Sequence, residues 1–318
     1  MQGIPNNKLQ FKPDQRLEDE ELARQLFQNE PLEVNPGYWG SLIKLNSTYL
    51  ETPDVIYGQQ GWLTLWSGIS SIAFAAFPLL IVFDIFKKIK YGIQFTSSDL
   101  VYIIGSLLIS ILASYFFGWL AKSEFFKYTH MPVRLNRKTR MVHVFRFDGS
   151  ALSVPWDEVF FNVGLGRYKG PFQPTFIAGH VMEGSKRYPK ETFILGGHAS
   201  GLAATLSLWE FFRRYMEEGP ESALEDTPQL VCLPLDRGKE PFSAGMTVVH
   251  REMGSPNWFL GTILFPIRVL QSCARWLAFR TCKVPAWPKE IEATCTIEPD
   301  DPHVHDVTTN PPGYRFGY

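Results

Sequence analysis

"GWLTLWSGISSIAFAAFPLLIVF", Gly61–Phe83, contains no Asp, Glu, Lys, Arg or His. As a helix it would be about 35 Å long, enough for a hydrocarbon core of about 30 Å. A second charge-free run, "LVYIIGSLLISILASYFFGWL" at Leu100–Leu120, follows a polar loop holding Lys87, Lys88 and Lys90. Trp119 and Lys122 fall where a membrane interface would lie. The two runs predict a transmembrane helical hairpin over 61–121, with spans 61–83 and 100–120. The competing reading is a pair of buried helices in a large soluble core. Neither run carries an ionisable group at depth, which argues against a transporter or proton relay. Gly105, Ser106, Ser110, Ala113 and Ser114 place small side chains along the second run. They suit either packing within the hairpin or the approach of another helix, so a homo-oligomer stays open.

Working outward, the chain has 318 residues, a formal net charge of −1 and 45% apolar residues. That allows two domains with a sizeable core and gives no global attraction to nucleic acid. Cys232, Cys273, Cys282 and Cys295 show no Cys-x-x-Cys spacing and read as reduced thiols facing a cytosol. "MQGIPNNKLQFKPDQRLEDEELARQ" lacks the basic-then-apolar order of a secretory leader, so the N-terminus is expected to stay in the cytosol, with "LEDEELARQLFQ" as an acidic helix. Lys44 precedes the hairpin, and Lys122, Lys127, Arg134, Arg137, Lys138 and Arg140 follow it. The positive-inside rule then puts both termini in the cytoplasm, although the loop lysines pull the other way.

Past His130 the pattern shifts to short strands. "PVRLN" and "MVHVFRF" flank "RKT", Asp148-Gly149 turns the chain into "ALSVPW", and "DEVFFNV" follows. "PTFIAGHVME" and "KETFILGG" flank "GSKRYP" as a further hairpin. Ser200 is placed to cap a helix whose stripe is Leu202, Leu206, Trp209 and Phe212, stopped by Gly219-Pro220. The expected fold is therefore an α+β membrane protein. Its two-helix transmembrane hairpin is followed by a small antiparallel sheet domain at 131–219, closed by a C-terminal helix.

The order of basic hairpin, "DGSALSVPWDEVFF", second hairpin and final helix resembles the pleckstrin-homology-like modules of bacterial membrane proteins. More narrowly, "VRLNRKTRMVHVFRFDG", "VPWDEV", "KLNSTYLETPD" and "VPAWPKEI" resemble an uncharacterised family of Gram-negative inner-membrane proteins, often encoded beside type VI secretion effectors. The resemblance spans roughly 38–291, and none of its motifs is a chemical signature. It implies a multi-pass inner-membrane protein and, as a partner, a toxin protein that the chain would bind and neutralise as an immunity protein. The alternative is a membrane-anchored adaptor that binds a cytosolic protein or anionic lipid. Arg134, Arg137, Lys138 and Arg140 are the candidate lipid or partner contacts, since each basic group near an anionic membrane contributes about 1 kcal/mol of attraction. The other reading is a solvated turn that only helps set topology.

Residues 220–255, rich in Pro and Gly, read as a linker or long loop. In 256–292 an apolar start precedes Arg268, Arg275 and Arg280 among Trp276, Leu277 and Phe279, and Pro266 interrupts it. This segment suits an amphipathic helix, either on the inner leaflet or docked on protein. Residues 293–318 are expected to be a mobile tail. Neither a cofactor nor a metal is expected: Walker loop, His-Glu-x-x-His and Gly-x-Ser-x-Gly patterns are all missing. "GLGRYKG" has glycines at the wrong spacing for a dinucleotide turn, "GGHASG" reads as turn plus cap, and His303, His305 and Asp306 lack the further ligands of a closed site. Asp157, Glu158 and His180 do not form an evident catalytic set, so an enzyme is not expected.

Overall fold

The computed structural model describes residues 16–166, 173–182, 184, 187–199, 201–225, 227, 229–236, 238–254 and 257–314. The chain divides into a sheet unit, within Met1–Gln59, Tyr128–Glu252 and Lys283–Tyr318, and a helical unit, Gln60–Lys127 and Met253–Cys282.

The sheet unit begins with one helical turn, α1 (Asp19–Leu22), then β1 (Gln25–Leu26), β2 (Lys44–Leu45), β3 (Tyr49–Thr52) and the short α2 (Ile56–Gln59). The chain then builds the helical unit's α3 (Trp62–Lys90) and α4 (Ser97–Ala121). It returns as β4 (Val133–Asn136), β5 (Met141–Phe145), β6 (Ala151–Pro155), β7 (Val159–Leu165), β8 (Thr175–Met182) and β9 (Pro189–Ala199). Helices α5 (Leu202–Glu217), α6 (Pro220–Leu224) and α7 (Phe242–Glu252) follow, then α8 (Trp258–Thr281) of the helical unit and α9 (Lys289–Thr294). Two antiparallel sheets result, ordered β2-β3-β4-β5-β6 and β1-β7-β8-β9.

The order differs from a hairpin followed by a sheet. Thr52 of β3 pairs with Val133 of β4, and Tyr49 pairs with Asn136. The hairpin is thus an insertion between two neighbouring strands, and β1 to β3, ahead of it, belong to the sheets. Such an insertion is tolerable because closure entropy grows only with the logarithm of loop length. Asp54 fastens the two chain ends of this insertion: its carboxylate accepts hydrogen bonds from the backbone N–H of Met131 at 3.0 Å and of Ile56 at 3.2 Å. Burial pushes the Asp54 carboxyl up to about 6.

The series of hairpins also divides. A 3-10 turn at Trp156–Glu158 carries the chain from β6 in one sheet to β7 in the other, and its Trp156 is fully buried. Both sheets contribute to one core, in which Trp156 stacks on α5's Trp209 at 5.6 Å between ring centroids and Phe161 lies 4.9 Å from Trp209. Gly164 and Gly179 pair across strands with Phe176 and Phe193, whose rings occupy the space a Cβ would need. α5 is buried nearly all round, and its Glu210 and Arg213 pair inside at 2.7 Å. Leu202, expected in the buried stripe, lies at the helix's exposed start, and Ser200 lies outside the described residues.

Three further segments differ from expectation. The acidic N-terminal helix is a single turn, because Gln25 and Leu26 pair with Asn162 and Phe161 and bury Leu26. The expected linker 220–255 carries α6 and α7, whose Ala244, Val248 and Val249 are buried. The expected mobile tail docks: Leu45 and His305 exchange backbone hydrogen bonds, Ser47 donates to Asp301, and Asn310 bonds both backbone groups of Cys232.

Candidate membrane-contact site

Within the helical unit, α3 and α4 are long and apolar enough to cross a membrane, and their apolar side chains point outward. Leu79 is 69% exposed, Val101 72% and Tyr115 75%, together with Leu80, Phe83, Leu108 and Ile111. A soluble core helix would bury these residues, and each large one left in water forgoes about 2 kcal/mol. The two helices meet through small and aromatic residues instead. Ser71 and Ser114 donate to one another's carbonyls at 3.3 and 3.4 Å, Phe74 stacks on Phe117 at 5.7 Å, and Ser106 and Ser110 are buried. The hairpin therefore uses most of the small-residue face itself, while Gly105 faces open space.

The turn is closed chemically at both ends. At the tip, Thr96 caps α4 in a capping box with Asp99, and Lys88 reaches Asp99 at 2.5 Å. Lys87, Lys88 and Lys90 sit at the C-terminal end of α3, where the helix dipole favours cations. At the foot, Glu124 accepts from the N–H groups of Gly61 at 3.2 Å and Thr64 at 2.9 Å, and from the Thr64 hydroxyl at 2.6 Å. A carboxylate there satisfies orphan donors of the first turn of α3. Gly61 has φ of +94°, and a Cβ on it would lie 2.6 Å from the Cα of Arg275 in α8. Arg275 is fully buried, and its guanidinium donates to the Gln60 carbonyl at 3.3 Å. Glu124 is not among the sequence candidates, and Arg275 is expected only as a flank of an amphipathic helix. The available signal was two arginines, Arg268 and Arg275, seven apart in an apolar segment and hence on one helix face.

In the sheet unit, the basic hairpin is committed to protein partners. Arg134 is buried: it donates to Glu51 at 2.7 Å and reaches Glu292 at 3.3 Å. Its guanidinium lies 4.3 Å from the Tyr49 ring centre and 4.9 Å from that of Trp287. Beside it, burial and then the charge of Arg134 push His143 down to about 4. Arg140 bonds Asp157 at 2.8 Å and Glu217 at 2.9 Å, Lys138 pairs with Glu298, and the backbone of Arg137 donates to the Thr48 carbonyl. Three of the four candidate lipid contacts are thus paired with carboxylates, which offsets part of the local charge available to anionic lipid. Glu51, Trp287 and Glu292, the decisive partners, are far away in the sequence.

The model of a family of unknown function, DUF6708, matches residues 110–299. The chain belongs to the DUF6708 family. No curated protein and no solved structure matches it. The DUF6708 match begins inside α4 and runs through β4 to β9 and α5 to α9, so β1, β2 and β3, which complete the two sheets, precede it. Within the matched region, Gly164 of "GLGRYKG" is a strand residue under a phenylalanine ring, and the remainder of that motif lies largely outside the described residues. His303 faces Glu221 at 3.4 Å and Asp306 caps the turn at Thr308. Among the described residues, no group of three or more His, Cys, Asp or Glu is placed to hold a metal ion.

Proposed function

We propose that this DUF6708 protein is a membrane-anchored binding protein rather than an enzyme. The α3–α4 hairpin crosses a bacterial inner membrane twice, and the sheet unit with both termini lies in the cytoplasm. The observation that carries this reading is the outward apolar surface of α3 and α4, which needs a non-aqueous environment, together with basic residues flanking the hairpin. The sheet unit, in which Arg134, Lys138, Arg140, Arg146 and Arg213 pair with carboxylates, fits a binding platform. Alkaline carbonate washing and detergent extraction of membranes from cells expressing the full chain test the anchor. Retention in the carbonate pellet with release by detergent is expected, and release by carbonate alone would sink it.

The partner follows from the sequence resemblance alone: a toxin delivered by type VI secretion, which a membrane-resident immunity protein would meet at the bilayer. Deleting the gene should sensitise cells to attack by sister cells with an active secretion apparatus. Unchanged survival would exclude the immunity reading and leave the membrane-anchored adaptor.

A further inference from the structure

α8 is turned inside out for a helix in water. Its buried side chains, Arg268, Gln271, Ser272, Arg275, Ala278 and Phe279, recur at the spacing of one helical stripe, and four of the six are polar. The opposite side carries Ile263, Leu270 and Leu277 at seven-residue intervals, all exposed. Toward its start, Trp258 is 82% and Phe259 59% exposed, and no residue from 258 to 267 is buried. A soluble amphipathic helix shows the reverse arrangement, with apolar residues inward.

We infer that α8 is a third membrane-contacting helix, lying in the lipid interface with its apolar side toward the acyl chains. This rests on the proposed membrane setting of the hairpin and extends it. Three observations select lipid as the occupant. First, α8 belongs to the same compact unit as α3 and α4, and its Arg275 lies against Gly61 at the foot of α3, so its apolar side adjoins a surface of like character. Second, Arg280 sits 5.1 Å over the Trp276 ring near the helix's end, a basic and aromatic pair suited to the headgroup level. Third, the chain path forbids a crossing. The 24 residues of α8 make a helix about 36 Å long. The segment 253–257 before it reaches at most roughly 18 Å. After it, Cys282 alone separates Thr281 from Lys283, whose carbonyl accepts from Thr129 in the sheet unit. With both ends tied to the sheet unit so closely, α8 lies along the membrane, and the polar stripe it would otherwise expose is taken up by the protein.

The test uses the full chain, with exposed Cys273 replaced by Ser, in vesicles of phosphatidylethanolamine and phosphatidylglycerol. A nitroxide label is placed at Ile263→Cys, Leu270→Cys or Leu277→Cys, with Leu108→Cys on α4 as the lipid reference and Lys289→Cys on α9 as the water reference. Collision with oxygen is expected to exceed collision with a polar nickel chelate at 263, 270 and 277, as at 108, by about threefold or more, and the ratio inverts at 289. Chelate-accessible α8 labels beside a lipid-exposed position 108 would overturn the inference and leave the hairpin anchor standing. Chelate access at 108 as well would overturn both. Immobile α8 labels with spin–spin broadening would show a second copy of the chain covering this side, and that too overturns the inference.

Discussion

Trp209 and Trp258 mark the two halves of this molecule. Trp209 is fully buried between Trp156 and Phe161 in the sheet unit, whereas Trp258 at the start of α8 is 82% exposed. Arginine is buried in both units. Arg134 and Arg213 of the sheet unit lie against the carboxylates of Glu51 and Glu210, while the fully buried Arg275 of the helical unit donates to the Gln60 carbonyl and most large apolar residues of its unit face out. The hydrophobic effect is the same in both units, so under the proposed membrane setting the difference lies in what surrounds them: water for the sheet unit and, for the helical unit, an apolar surrounding in which polar groups gain by turning inward.

The comparison breaks most decisively at the tryptophans. Trp209→Ala is expected to destabilise the sheet unit by about 3–5 kcal/mol, read from denaturant unfolding in detergent, because a large cavity opens in a shared core. Trp258→Ala should leave that unfolding midpoint unchanged, and an equal loss for both would mean that the two units do not differ in this way.

Acid comes next. Burial holds His130 down to about 3 and His180 down to about 4. A base whose folded pKa is depressed contributes stability above its unfolded pKa, near 6.5, and loses it as pH falls toward the folded value. The sheet unit should therefore weaken between pH 6.5 and 4, by about 3 kcal/mol for His180 alone. Asp54 acts in the opposite sense. Its carboxyl is raised to about 6, so its charged form is disfavoured in the fold and its contribution falls as pH rises from about 4 to 6. His180→Gln should flatten the acid slope and Asp54→Asn should steepen it, as measured by unfolding free energies at pH 7 and 4.5.

In the helical unit, Gly61→Ala should cost about 2 kcal/mol, since the position combines a positive φ with backbone contact to Arg275. Hydrogen exchange of α8 amides would rise while those of β4 and β5 stay protected. Glu124→Gln removes a carboxylate from the first turn of α3 and should cost about 1 kcal/mol, seen as faster exchange at Leu63 and Thr64. The smallest effect belongs to the basic turn. Lys138→Gln, an exposed pair with Glu298, should change stability by under about 0.5 kcal/mol and leave binding to anionic vesicles unaltered. Loss of vesicle binding would mark that turn as a lipid contact.

Local signals are legible in the sequence. The charge-free runs at 61–83 and 100–120 appear as the long helices α3 and α4, and the turn residues around "RKT", Asp148-Gly149 and "GSKRYP" separate strands that do pair as neighbours. Each depends on periodicity or turn chemistry within a dozen residues. The partnerships of Arg134 were not legible. Glu51 reaches it because β3 and β4 are neighbours across the whole inserted hairpin, and Trp287 and Glu292 because the segment after α8 comes back over the same strands. The tail followed the same rule: its polar composition argued for mobility, yet backbone pairing of Leu45 with His305 holds it to β2.

The sequence by itself determined which segments avoid water and which strands turn into one another, because hydrophobic length and turn preference are properties of short stretches. Only the tertiary structure decided that the hairpin is threaded between two paired strands, that Arg134, Lys138 and Arg140 pair with carboxylates, and that Arg275 of α8 lies against Gly61. Those outcomes depend on contacts between residues far apart in the chain, for which an amino-acid pattern holds no local trace.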